Sequence, residues 1–254
     1  MKKSLLIATC AAMVLMAGCK DKKTMDNPFL VGWDTPYNIP DFEKIKTEHY
    51  MPAFEEGMRQ QKAEIEAIVN NPDAPTFENT IEAYEYSGEL LGTVSSVFFN
   101  LQGSNTNDEM DAIAEEVTPL LSKHGDDISL NPELFARIKA VYNQKESLNL
   151  DGEQQRLLDE VYKGFVRSGA LVPADKQERF RQVNEQIAGL ELRFSTNVLK
   201  ATNDFKLVLE ENQLGGLTPD QIQAAKEAAD ADEATKGKYV ITLVFVGLLI
   251  IRCF

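Results

Sequence analysis

Histidine is nearly absent from this chain of 254 residues, which has two, His49 and His124. Neither has a second histidine three or four residues away, so neither supplies the paired ligands of a helical zinc site. Three cysteines are too few for a disulfide framework. Cys253 lies in the terminal tail, which leaves no Cys–His nucleophile. Positive charge is short as well, with 26 Lys and Arg against 40 Asp and Glu and a net charge of −14. With no basic stripe, such a chain is repelled by phosphate backbones, and a nucleic-acid partner is excluded. There is no Gly-x-Ser-x-Gly elbow and no Walker-type loop, and Gly215-Gly216 is a turn. Fifteen glycines and ten prolines leave no room for a collagen or linker composition. What is present is an ordinary globular composition, 43% hydrophobic and 26% charged, long enough for one or two domains with a proper core.

The first residues read as an address. Lys2 and Lys3 make a positive start, Leu5 to Met16 is an apolar run of signal-peptide length, and Met16-Ala17-Gly18-Cys19 follows. This resembles the lipobox of bacterial lipoproteins, which usually has Leu where this chain has Met16. Residues 1–18 are then a lipoprotein signal peptide and Cys19 is the lipid attachment site; a plain secretory signal is the alternative. The polar flank Lys20-Asp21-Lys22-Lys23 argues against a buried core helix. Residues 19–40, with Pro28, Pro36 and Pro40, read as an extended tether. The protein is expected to be exported and held at the membrane of the bacterial cell envelope by its lipid, without a spanning helix.

From Asp41 to residue 204 the pattern is one helix after another. Asp41 caps a short turn through Phe42 and Ile45. Pro52 suits the first position of a longer helix whose stripe is Phe54, Met58, Ile65, Ile68 and Val69, ending at Asn70-Asn71-Pro72. Thr76 opens a helix in which Phe77, Ile81, Tyr84, Gly88, Leu91, Ser95 and Phe98 step by 4-3-4-3-4-3. Its small seam residues allow a close neighbour. A further helix runs from Asn107 past Ile113, Val117, Leu120 and Leu121, with a kink expected at Pro119. Asn131-Pro132 and Asp151 start two more. The longest is expected from Ala174 to Ala201, with the stripe Phe180, Val183, Ile187, Leu190, Phe194 and Val198. After it the period changes. Phe205, Leu207 and Leu209 alternate as a strand does, Thr218-Pro219-Asp220-Gln221 is a capping box, and Tyr239–Leu243 is a β-branched run. The fold class is therefore mainly α: a helical domain over 41–204, then the start of a small α+β element over 205–243.

Chemistry is hard to find in this body. Glu115-Glu116 and Asp126-Asp127 are adjacent on helices and point in different directions, so neither makes an acid/base dyad. The two histidines read as caps or packing groups at helix ends. No catalytic and no metal-binding residue is assigned to this chain.

The wording at the helix joints carries more. HYMPAFEEGM, IVNNPDAPTFENTI, LLSKHGDDISLNPELFARI and EQQRLLDEVYKGFVRSGALV occur in order, followed by QIAGLELRFSTNVLKATNDF and LGGLTPDQIQAAKEAA. Together they resemble the N-terminal half of a bacterial peptidyl-dipeptidase of the thimet oligopeptidase and neurolysin family of zinc metallopeptidases. The resemblance covers about residues 27–243. It implies a helical, two-lobed fold with a deep channel that admits short unfolded peptides, this chain forming one wall. It also implies that catalysis lies elsewhere, on a helix bearing H-E-x-x-H, where two histidines and a later Glu hold zinc and the motif Glu activates water. That motif is not in this sequence, so no catalytic residue carries over and no cofactor is expected in the chain itself.

The end breaks character. Val244 to Phe254 is apolar where the family continues with polar text. A second membrane anchor is one reading, but Tyr239 to Ile251 is 13 residues, short of the roughly 20 a spanning helix needs. A buried strand is another, and a frameshift or premature stop that replaced the catalytic half is the third and favoured one. Two functions follow. The chain is either the substrate-channel portion of a peptidyl-dipeptidase-like enzyme acting on short peptides, inactive alone, or a non-catalytic helical lipoprotein that binds peptides or a partner.

Overall fold

A computed structural model describes residues 27–243. The expected signal peptide 1–18, Cys19, the tether as far as residue 26 and the tail 244–254 lie outside the described residues. Among the described residues the architecture is helical with one two-stranded sheet, in agreement with the mainly-α expectation.

Local capping chemistry sets most of the boundaries. Asn27 caps α1 (Pro28–Val31), its side chain accepting from the Phe29 N–H at 3.1 Å. A 3₁₀ turn, Thr47–His49, leads into α2 (Tyr50–Val69), so the helix begins two residues before Pro52. Pro52 is still in the first turn, where N–H groups have no intrahelical partner. Asn131 accepts from the N–H groups of Glu133 and Leu134 to start α6 (Pro132–Tyr142). Asp151 and Gln154 bond reciprocally to start α7 (Gly152–Arg167). Before α6 in the chain lies α5 (Asp108–Ser129), capped by Asn107 and running through Pro119.

The single helix expected from Phe77 to Phe98 is corrected. Thr76 and Asn79 do form a capping box, but it opens a π-helical turn, Phe77–Glu82, followed by a short α3 (Ala83–Glu85). A break follows before α4 (Glu89–Gln102). Gly88 sits in the break with φ +77°, a left-handed conformation that halts a helix and that glycine adopts without a Cβ clash. A Cβ there would also lie 2.4 Å from Gln61 Nε2 of α2. The apolar register survives the break: Phe77, Ile81, Leu91 and Phe98 are all buried.

The described chain divides into two compact units, residues 27–102 with 107–185, and residues 103–106 with 186–243. The division falls inside the long α8 (Ala174–Asp204), whereas periodicity placed the change of character after it. In the first unit α2, α6 and α7 and the π-helical turn surround Ile65, Ile68, Ile81, Leu134, Ile138 and Leu158. A second apolar centre joins α1, α2 and α4, where Phe54 and Phe98 meet edge to face at 5.4 Å and Tyr50 meets Phe98 at 4.9 Å. Gly57 permits the approach of α4 to α2, since its bare Cα faces the Leu91 backbone.

In the second unit β1 (Leu207–Leu209) pairs antiparallel with β2 (Tyr239–Ile241), Val208 opposite Val240. Thr218 and Gln221 cap α9 (Pro219–Asp230), which covers β2 with Ala225 and Ala229. The stripe of α8 departs from expectation. No residue of α8 is buried. In the second unit Ile187, Leu190, Phe194 and Val198 are 46%, 55%, 70% and 48% exposed.

Candidate functional site

Polar side chains converge on one face of the first unit, in a cleft of about 610 Å³ lined by Gln61, Tyr84, His124, Asp126, Arg167 and Asn184 among others. The elements that bring them there are α2, the last turns of α5, the end of α7 and the start of α8. His124 lies on the penultimate turn of α5, and its Nε2 is 2.8 Å from Gln61 Oε1 of α2. An amide oxygen only accepts, so Nε2 carries the proton and Nδ1 is left as an acceptor. Burial holds the His124 pKa below its ordinary value; Asp127 opposes this, while Lys123 and Lys62 add to the lowering. The ring is therefore neutral at pH 7.

The adjacent carboxylates below it part company, as the sequence implies. Asp126 is buried and accepts from Asn184 Nδ2 at 2.7 Å. Asp127 faces outward, accepts from Arg181 Nη1 at 2.8 Å and pairs with Lys123. Burial is the largest influence on Asp127 and raises its pKa, but Lys123 and Arg181 together outweigh it and hold the carboxyl below the usual range. A neutral imidazole, two amides and a buried carboxylate can hydrogen-bond the backbone of an extended peptide. The partner of His124 is an amide rather than a hydroxyl, so it is not arranged as the base of a nucleophile pair.

His49 lies apart, on a second cleft of the same unit of about 890 Å³ that Trp33, Asp41, Lys44 and Glu48 also line. Its Nδ1 accepts from the Lys46 N–H at 3.0 Å, a cap at a helix start, and its carbonyl accepts from Asn27 Nδ2 at 2.8 Å. The two histidines thus serve separate clefts. Among the described residues no group of three His, Cys, Asp or Glu side chains is placed to hold a metal ion. Among the described residues no helix is long and apolar enough to cross a membrane.

Sequence reasoning missed Gln61 and Arg137. Arg137 of α6 donates from Nη1 to the Asn71 carbonyl at 3.0 Å and from Nη2 to Asn79 Oδ1 at 3.3 Å, which ties the loop before the π-helical turn to the body. No local pattern marks either residue, because the Arg137 and Gln61 partners lie 66 and 63 residues away.

No protein-family profile matches the chain. Individual proteins do. It is 41% identical over 222 residues to dipeptidyl carboxypeptidase of Escherichia coli (strain K12), which covers 87% of this chain and 32% of that protein. It is 43% identical over 204 residues to dipeptidyl carboxypeptidase of Salmonella typhimurium, covering 80% and 30%. With oligopeptidase A of E. coli it shares 28% identity over 220 residues, covering 86% and 32%. The chain spans about a third of the length of the curated relatives it matches. Over most of its own length, then, this is sequence of the thimet oligopeptidase-like peptidases.

Proposed function

We propose that the chain forms the substrate-channel portion of a peptidyl-dipeptidase-like zinc metallopeptidase acting on short peptides. The observation that carries the reading is its relatedness to dipeptidyl carboxypeptidase across 222 residues, 87% of the chain. The cleft of His124, Gln61 and Asn184 supports it, offering neutral donors and acceptors suited to a peptide backbone. Zinc and the groups that hold it belong, in this reading, to residues outside this sequence. The chain is exported and anchored through lipid on Cys19, at the end of the lipobox-like Met16-Ala17-Gly18-Cys19.

The test is peptide handling by the purified chain. Blocked tri- and tetrapeptides are expected to bind, with weaker binding after His124→Leu, and to remain uncleaved with or without zinc. Chelator-sensitive turnover by the chain alone would overturn the assignment of catalysis to other residues. Binding with no turnover, even after the remaining two thirds of a relative is added, favours the non-catalytic peptide-binding lipoprotein instead. Cys19→Ala is expected to move the protein from the membrane fraction to the soluble fraction; retention in the membrane fraction refutes the anchor.

A further inference from the structure

Asp126 is a buried carboxylate without a cation. It stands on the last turn of α5, 6% exposed, and lines the cleft of Gln61, His124 and Asn184. Its carboxylate is held by an amide, Asn184 Nδ2 donating to Oδ1 at 2.7 Å. Among the described residues no Lys or Arg forms an ion pair with it. Cations are nevertheless at hand. Asp126 also borders a smaller cleft of about 350 Å³ that Lys123 and Arg181 line, but both of these pair with its neighbour Asp127. Arg167 lines the larger cleft and is not paired with Asp126 either. Taking a charge out of water is costly unless an opposite charge and hydrogen bonds replace the water, and one amide replaces only part of it. The fold of the first unit thus carries an anion that it leaves uncompensated, in the wall of a cleft, and such a group calls for an explanation.

We propose that the cleft seats a primary ammonium group of a short peptide, its N-terminal α-ammonium or a lysine side chain, against the Asp126 carboxylate. The proposal rests on the peptide reading above and adds to it what the cleft selects. The chemistry of the wall chooses among cations. An ammonium brings three N–H donors; the carboxylate takes one, Asn184 Oδ1 is a second acceptor, and the hydroxyls of Ser122, Ser129 and Ser168 line the same cleft. A guanidinium prefers both oxygens of a carboxylate in a fork, and Oδ1 of Asp126 is already engaged by Asn184. A metal ion needs several ligands, and among the described residues no three His, Cys, Asp or Glu side chains are placed to supply them. His124 does not compete. Its Nε2–H is given to Gln61 and the ring is neutral at pH 7, so it neither compensates Asp126 nor repels an incoming cation. The remaining positive charges of this wall, Lys123 and Arg181, are offset by Asp127.

The experiment titrates the purified full chain by calorimetry with three alanine-based tripeptides, all amidated at the C-terminus so that no carboxylate can contribute. One has a free N-terminus, one is N-acetylated, and one is N-acetylated with lysine in place of the first alanine. At pH 7 the free peptide is expected to bind about tenfold more tightly than the acetylated one, the scale of a hydrogen bond to a charged group. Tight binding of the acetylated lysine peptide as well assigns the site to any primary ammonium; tight binding of the free peptide alone assigns it to the N-terminus, and either supports the proposal. Asp126→Asn keeps an acceptor for Asn184 and removes the charge, and is expected to erase the difference between the free and acetylated peptides. If that variant does not fold, the parent gives the same reading, because the preference for the free peptide should disappear as pH rises through about 8, where an α-ammonium loses its proton. Equal binding of all three peptides by the parent overturns the proposal and leaves the functional reading standing, as does a preference that a folded Asp126→Asn protein retains. Binding of none of them overturns both.

Discussion

Gly57 allows a sharp test of how α2 and α4 meet. A Cβ added at this position lies 2.9 Å from Leu91 Cα, 3.0 Å from Leu91 N and 3.1 Å from Leu91 Cβ. Carbon atoms in contact prefer separations of about 3.5–4.0 Å, so Gly57→Ala forces the helices apart by about half an ångström or more. Two effects oppose each other. Alanine is about 1 kcal/mol better than glycine inside a helix, while inserting a methyl into a packed contact costs about 1–3 kcal/mol. The obstacle is backbone of a neighbouring helix, not the end of a flexible side chain, which places the cost toward the upper part of that range. The expected result is a net loss of about 1–2 kcal/mol. Gly92, the next residue after Leu91 on α4, has nothing within 4 Å of the same added atom. Gly92→Ala should therefore show the helix-propensity gain alone, about 1 kcal/mol. Thermal unfolding followed by circular dichroism reads both, at about 2–4 °C per kcal/mol for a unit of this size. The two variants should move in opposite directions. A Gly57→Ala protein that gains stability as Gly92→Ala does would refute the close approach.

The remaining predictions concern charge and capping. The His124 pKa is held below its ordinary value of about 6.5, so in the interval between its folded and unfolded values the unfolded chain binds the extra proton. Its contribution is fully present above about pH 6.5 and is lost as pH falls below that value toward the folded pKa. His124→Gln should flatten the dependence of midpoint on pH below about 6.5, and an unchanged slope would count against the burial of the ring. Asp127 acts in a different window: its lowered pKa makes its contribution complete above the unfolded carboxyl value and lost as pH falls through the folded one, so acid titration separates the two. Asp151→Ala removes half of the reciprocal cap on α7 and should lower the urea midpoint by the equivalent of about 1 kcal/mol with the slope unchanged. A variant with the parent midpoint would show that water satisfies those N–H groups equally well.

What could be read from the sequence was what neighbours in the chain decide. Asn131-Pro132, Asp151 and Thr218 each place an acceptor where helix N–H groups lack one, and each stands where a helix begins. The alternation at Leu207 and Leu209 and the β-branched run from Tyr239 mark two strands that pair. The break at Gly88 was not legible, because an apolar period reports which side of a segment faces the core and not whether its backbone is continuous. The 4-3-4-3 steps from Phe77 to Phe98 hold on both sides of the break, and what ends the helix is a positive φ with Gln61 pressed against it from another element. The cleft was illegible for the same reason. His124 is neutral because it is half-buried, and its proton is placed by a glutamine 63 residues away. Its own neighbours, Lys123 and Asp127, push its pKa in opposite directions. The α8 stripe is the reverse case, legible as a pattern but not as a contact. Periodicity states that a face has a cover, and the cover need not be among the residues that carry the period. In the second unit Leu190 and Phe194 meet the requirement of the pattern while remaining 55% and 70% exposed.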